Sequence, residues 1–208
     1  MIKLPPMPAG VEKLPRDDRG YPVPWFVAWV DGKPEFRCAR GEALTQAIRG
    51  NLCWVCGESF IDNILAFVIG PMCAVNRNTA EPPCHLECAR FAAMACPFLA
   101  IPKAKRRESN MPEGTVDPAG MAIRRNPGVA LIYITNRYRI HRERNGILFE
   151  LPAPAAVEWY CEGRPATRDE VLESINTGLP ILRKVADQDN AGAELDAAVA
   201  EAMKLLPQ

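Results

Sequence analysis

Histidine is scarce in this chain: His85 and His141 are the only two in 208 residues. So small a supply excludes sites that need several imidazoles as ligands and bases together. No P-loop, dinucleotide fingerprint, GxSxG or HExxH occurs, which removes the chemistries those patterns carry. No apolar run approaches the roughly 20 residues of a membrane span. Met1-Ile-Lys-Leu-Pro-Pro6 does not read as a secretory n-region. The expected setting is therefore a reducing cytoplasm, where eight cysteines do not form a disulfide framework. Cys38, Cys73, Cys96 and Cys161 read as small buried hydrophobes. Internal repeats and low-complexity tracts are also absent.

Net charge is missing as well, with 25 basic and 25 acidic side chains, but their distribution is uneven. Residues 1–101 carry 10 of each, residues 102–144 carry 10 basic and 4 acidic, and residues 145–208 carry 5 basic and 11 acidic. A net of +6 in the middle and −6 at the end suggests a basic surface that meets an anion, either a partner or the chain's own acidic third.

An apolar fraction of 48% and this length allow a sizeable core in one unit or two. The proline-rich stretch up to Pro24 reads as an extended arm. Asp31-Gly32, between Trp25–Val30 and Pro34–Cys38, is a hairpin signal. Glu42 to Arg49 reads as a short helix ended by Gly50-Asn51. Asn63 to Val75 reads as a second hairpin turning at Ile69-Gly70-Pro71. Pro82-Pro83 suit the start of a helix that ends at Cys96-Pro97. Residues 101–128, with Lys103-Ala-Lys-Arg-Arg107 and Arg124-Arg125-Asn-Pro-Gly128, read as a long loop. Val129 to Thr135 is a buried-type strand, Tyr138 to Leu151 a hairpin around Asn145-Gly146, and Ala156 to Cys161 a further strand. Thr167-Arg-Asp-Glu170 is a capping box for a helix ending at Gly178, with another helical piece from Leu179-Pro180. Ala193 to Leu206 is a last helix.

The motif with the most chemical content is Cys53-Trp-Val-Cys56-Gly57, followed by Cys84-His85-Leu-Glu-Cys88. Two such pairs at close internal spacing read as one tetrahedral zinc site. His85 and Cys88, three apart, share a helix face, and so do Cys84 and Cys88, four apart. The order of knuckle, hairpin and ligand-bearing helix over residues 51–97 resembles a treble-clef zinc finger. That resemblance implies one structural Zn2+ held by Cys53, Cys56, His85 and Cys88, with Cys84 spare. Three further runs, Tyr21 to Trp29, Phe67 to Cys73 and Gly163 to Leu172, are similar to uncharacterised bacterial and phage proteins. They imply a bacterial or phage setting and no particular activity.

Two enzyme classes share parts of this pattern. An HNH-type nuclease would place a histidine base on the hairpin, where this chain has Ala66-Phe-Val-Ile-Gly-Pro-Met72. His85-Leu-Glu87 matches the HxE of zinc deaminases, yet the CxxC comes first and Cys88 fills the position that water would need. Asn136-Arg-Tyr-Arg-Ile-His-Arg-Glu-Arg144 is the richest cationic stretch. Its Arg137, Arg139, Arg142 and Arg144 can contact phosphates, and its Tyr138 can stack on bases.

The expectation is an α+β protein. An N-terminal arm, hairpin and zinc module (residues 1–101) packs on a C-terminal antiparallel β unit with two or three helices (residues 102–208), the two being able to form one domain. Its expected function, in a phage or mobile-element setting, is non-enzymatic binding of a macromolecule, nucleic acid first, with inhibition of a host protein as one alternative and a zinc deaminase-like or HNH-derived enzyme as another.

Overall fold

The structure, a computed structural model, describes residues 4–101, 104–105, 109, 111–120, 123 and 125–208. Lys103, Arg106, Arg107 and Arg124 of the central basic region lie outside the described residues, as do Met1 to Lys3. The first half holds α1 (Ala9–Glu12), β1 (Val27–Val30), β2 (Lys33–Ala39), α2 (Ala43–Gly50), β3 (Leu65–Ile69), α3 (Pro71–Asn76), β4 (Asn78–Thr79), α4 (Leu86–Ala95) and α5 (Pro97–Ala100). The second half holds β5 (Val129–Thr135), β6 (Arg139–Glu143), β7 (Gly146–Glu150), β8 (Ala156–Cys161), β9 (Arg164–Pro165), α6 (Arg168–Gln188) and α7 (Gly192–Met203). The fold is α+β, with every strand pair antiparallel.

The strands form a β1-β2 ribbon, a four-stranded sheet in the order β3-β5-β8-β9, and a three-stranded sheet in the order β4-β7-β6. Both larger sheets take strands from each half of the chain. β5 lies between β3 and β8, so Leu131, Ile132 and Tyr133 are fully buried. Such two-sided burial is why its sequence is continuously apolar rather than alternating. Phe67 of β3 and Phe149 of β7 extend the same core. Arg90 of α4 clamps Glu158 of β8 at 2.5 Å, which fixes the helix over the sheet. Of the four cysteines expected inside, Cys161 is buried, whereas Cys38, Cys73 and Cys96 are partly exposed.

The Asp31-Gly32 hairpin forms, with φ of +50° and +75° at the two turn residues and Val30 opposite Lys33. The expected second hairpin does not. Gly70 caps α3 and Pro71 occupies its first turn, because proline suits a helix start as well as a turn. β3 pairs instead with β5, Ile69 lying opposite Leu131. Pro82-Pro83 likewise precede a bridge between Cys84 and Ala66, and α4 opens three residues later than expected.

The α6 helix is continuous through Gly178 and Pro180, where a break was expected. Gly178 is buried, and a Cβ there would lie 2.6 Å from Arg125 Nη2 and 2.8 Å from Met72 Sδ. The glycine allows close approach rather than ending the helix.

The capping box of α6 is present. Thr167 Oγ1 accepts from Glu170 N at 3.3 Å, and the Glu170 carboxylate accepts from Thr167 N at 2.8 Å. Arg164 donates to that carboxylate at 2.6 Å and, with the Thr167 amide, draws its pKa from 4.5 down to about 2. A carboxyl depressed on folding contributes stability that is complete above its unfolded value and lost as pH falls through the folded one. Thr167→Ala should therefore lower stability by about 1 kcal/mol, read as a shifted urea midpoint at unchanged slope. Glu170→Gln should flatten the loss of stability between pH 4.5 and about 2.

Candidate metal centre

The knuckle is shaped by its own backbone. Cys53 N donates to Glu58 O at 2.8 Å and Gly57 N to Cys53 O at 2.9 Å, and Leu52 bridges Ser59. Gly57 holds φ +75°, and an added Cβ would lie 2.4 Å from the Trp25 ring, so both conformation and space require glycine. His85 caps α4 and Cys88 lies in its first turn, where unpaired amides and the helix dipole favour negative sulfur. β3 sets the approach of this helix, since Ala66 and Cys84 exchange backbone hydrogen bonds at 3.0 and 2.7 Å.

Cys53, Cys56, His85 and Cys88 converge, their ligand atoms all within 4.8 Å of one another, and can hold a metal ion. His85 Nδ1 lies 3.4 Å from Cys56 Sγ and 4.0 Å from Cys88 Sγ. Donors roughly 2.0–2.3 Å from one central ion are separated by about 3.3–3.8 Å in a tetrahedron; the His85–Cys56 pair already has that spacing, and the wider pairs, up to 4.8 Å, close on an ion by a small inward movement. On its other side the ring places Nε2 3.3 Å from Ser59 O. An N–H there fixes Nδ1 as the lone-pair nitrogen, as metal-binding imidazoles require. Phe60 packs on the ring at 4.7 Å. The His85 amide donates to Cys53 Sγ at 3.3 Å.

The protonation pattern marks competition for one site. Hydrogen bonds from Cys56, then Cys84 and Cys88, pull Cys53 far below the ordinary thiol range. Donation to Cys53 pushes Cys56 up to about 11, and hydrogen bonds to Cys53 and Cys56 raise Cys88 as well. Cys84 is buried, supports Cys53 with its thiol and is raised by that bond and by burial; it is not one of the four converging ligands.

Two contributors to this centre carry no sequence pattern. A Cβ on Gly10 of α1 would lie 3.0 Å from Cys56 Cβ, so the arm lies directly on the ligand loop. Val11 and Val23 are fully buried, and the arm is thus part of the packed structure. Ser59 acts only through its carbonyl, which no side chain reveals.

The arginines lie elsewhere, on the edge strand of the three-stranded sheet. All five residues of β6 are exposed. Arg137 precedes the strand and Arg144 lies in its turn, so the single alternating face expected for Arg137, Arg139, His141 and Glu143 begins only at Arg139. Tyr138 does not point outward: it packs edge-on to Phe67 at 5.8 Å and Phe149 at 5.2 Å. The ring expected to stack on bases is thus half-buried and packed against the core. Comparison with family models, curated proteins and solved structures finds no match to this chain.

Cys53→Ser should abolish metal content in the purified protein, because it removes the sulfur on which the others converge. Cys84→Ser should retain the metal. Gly57→Ala should cost at least about 1 kcal/mol through its left-handed backbone alone, with a further loss from displaced Trp25, measured by chemical denaturation.

Proposed function

We propose that the chain is a non-enzymatic, zinc-stabilised binding protein that engages nucleic acid through β6 and its turn. Three sulfurs and one imidazole nitrogen suit Zn2+, and the knuckle followed by a ligand-bearing helix supports a treble-clef-like module. Zinc here would be structural, since four protein ligands leave no position for water. Glu87, the acid that a deaminase reading needs, is exposed. His141 is held on β6 by Glu150 at 2.6 Å. We place this module in a bacterial or phage cytoplasm. Among the described residues no helix is long and apolar enough to cross a membrane.

The observation that carries the nucleic-acid reading is the freedom of the arginines. Arg137, Arg139, Arg142 and Arg144 are exposed, and no acidic side chain among the described residues forms an ion pair with them. Glu150, opposite Arg139 in the ladder, is held by His141 and is also drawn down by the Arg139 charge, which leaves Arg137, Arg142 and Arg144 as the arginines with no acidic partner among the described residues. Acidic groups of the last third pair nearer home: Glu170 with Arg164, Asp196 with Arg183 and Glu201 with Lys204.

Metal analysis should find one zinc per chain, and chelation should release the arm, the ribbon and the start of α4. Because thiols lose protons on metal binding, zinc affinity should rise with pH. Binding to nucleic acid should weaken steeply with salt through counterion release. The double variant Arg142→Ala/Arg144→Ala should reduce the slope of log K against log salt by roughly 1.4–1.8 without loss of zinc. Absence of binding to duplex DNA, single-stranded DNA and RNA at low salt would reject this reading in favour of a protein partner, such as a host protein that the chain inhibits.

A further inference from the structure

The β1-β2 ribbon carries aromatic surface that the core does not use. Trp29 is 47% exposed and Phe36 40%, and among the described residues no other helix or strand packs extensively on the ribbon. Trp29 lies opposite Pro34, and its indole meets no other ring or cation among the described residues. Phe36 lies two residues beyond Pro34 and carries the Arg19 guanidinium 5.8 Å from its ring centre. An exposed indole beside a phenyl ring and a guanidinium presents flat faces of the kind on which nucleobases stack.

The ribbon is tied to the basic turn by a short piece of chain. Thr115 Oγ1 lies 3.5 Å from Cys38 Sγ on β2. Three residues later, Pro118 O accepts from Asn145 Nδ2 at 3.3 Å, next to Arg144. Three residues span at most about 11 Å, and Phe36 is only about 7 Å along its strand from Cys38. These two contacts link the aromatic ribbon to the arginine turn and limit their separation to what an extended strand of several nucleotides can span, one end supplying neutral ring faces and the other positive charge.

We propose that the two surfaces form one site for single-stranded nucleic acid, with bases stacked on Trp29 and Phe36 and phosphates held by Arg142 and Arg144. The inference rests on the nucleic-acid reading above and narrows it to strands whose bases are unstacked. In a duplex the base faces are covered by their neighbours, so ring stacking selects single strands whatever their sequence. DNA and RNA share this chemistry, and the sugar separates them only in a direct comparison.

Trp29 also supplies the probe. Trp54 and Trp159 are buried, and Trp25 lies under Arg40 at 4.0 Å, so a ligand that stacks on the ribbon quenches Trp29 first. The test titrates the zinc-loaded full chain with oligo-dT and oligo-U of roughly 12 nucleotides and with a duplex of equal length, following tryptophan emission and the anisotropy of labelled probes. Both single strands, or one of them, should bind at least about tenfold more tightly than duplex and quench emission; the tighter of the two identifies the sugar preferred. Trp29→Ala should remove the quench and weaken binding by roughly tenfold or more, at unchanged zinc content and thermal midpoint. Phe36→Ala should weaken binding in the same direction. Duplex bound as tightly as single strands, or unchanged affinity in Trp29→Ala, overturns this site while leaving the arginine reading intact. No binding to any probe overturns both.

Discussion

Three thiols and an imidazole nitrogen within 4.8 Å of one another cannot all take their ligand forms without a cation, because like charges so close disfavour ionisation. Protons resolve the conflict only partly. They leave Cys53 as the acceptor of its neighbours' thiols and hold Cys56 and Cys88 in their neutral forms. A divalent ion replaces several protons at once and converts mutual repulsion into shared attraction. The supporting groups all favour that outcome: the His85 amide on Cys53, the Ser59 carbonyl behind the imidazole, and the helix start under Cys88.

What surrounds the cluster depends on it in turn. A two-stranded ribbon is marginal by itself, and β1-β2 gains its anchorage at the knuckle. Trp25 N donates to Val55 O at 2.8 Å, and Phe26 stacks flat on Trp54 at 4.5 Å. Arg40 then covers Trp25 and donates to its carbonyl at 3.1 Å. On the other side Trp54 N donates to Pro83 O at 3.0 Å, joining the first ligand pair to the strand that leads into the second. Loosening the cluster would release the arm, the ribbon and the start of α4 together. The Arg90–Glu158 clamp and β5 would still hold the sheet and the remainder of α4.

Local chemistry made much of this legible in the sequence. Ligand spacing, the Asp31-Gly32 turn, the apolar run of β5 and the Thr167 capping box each depend on residues a few positions apart, and each appears in the structure. The misreadings share the opposite property. Whether Gly70-Pro71 turns a hairpin or starts a helix is decided by β5, some 60 residues later in the chain. Whether Gly178 stops α6 or lets Met72 and Arg125 approach depends on side chains packed from elsewhere. Tyr138 follows strand alternation in sequence, but its ring packs edge-on against Phe67 and Phe149. Gly10 and Ser59 serve the cluster through an absent side chain and a carbonyl, and neither leaves a mark in residue type.

The exposed arginines could serve the fold alone. β6 is the edge of its sheet, and charge on an edge strand blocks pairing with another chain. That role asks only for charge, which lysine, a compact and strongly hydrated cation, provides. Residues 136–144 contain four arginines and no lysine. Guanidinium differs from ammonium in its planar fork of donors, its weaker hydration and its match to phosphate oxygens. Edge protection does not use those differences, whereas anion recognition does. A nucleic-acid strand held by these forks, as proposed, would give the excess of arginine a physical purpose beyond keeping the edge unpaired.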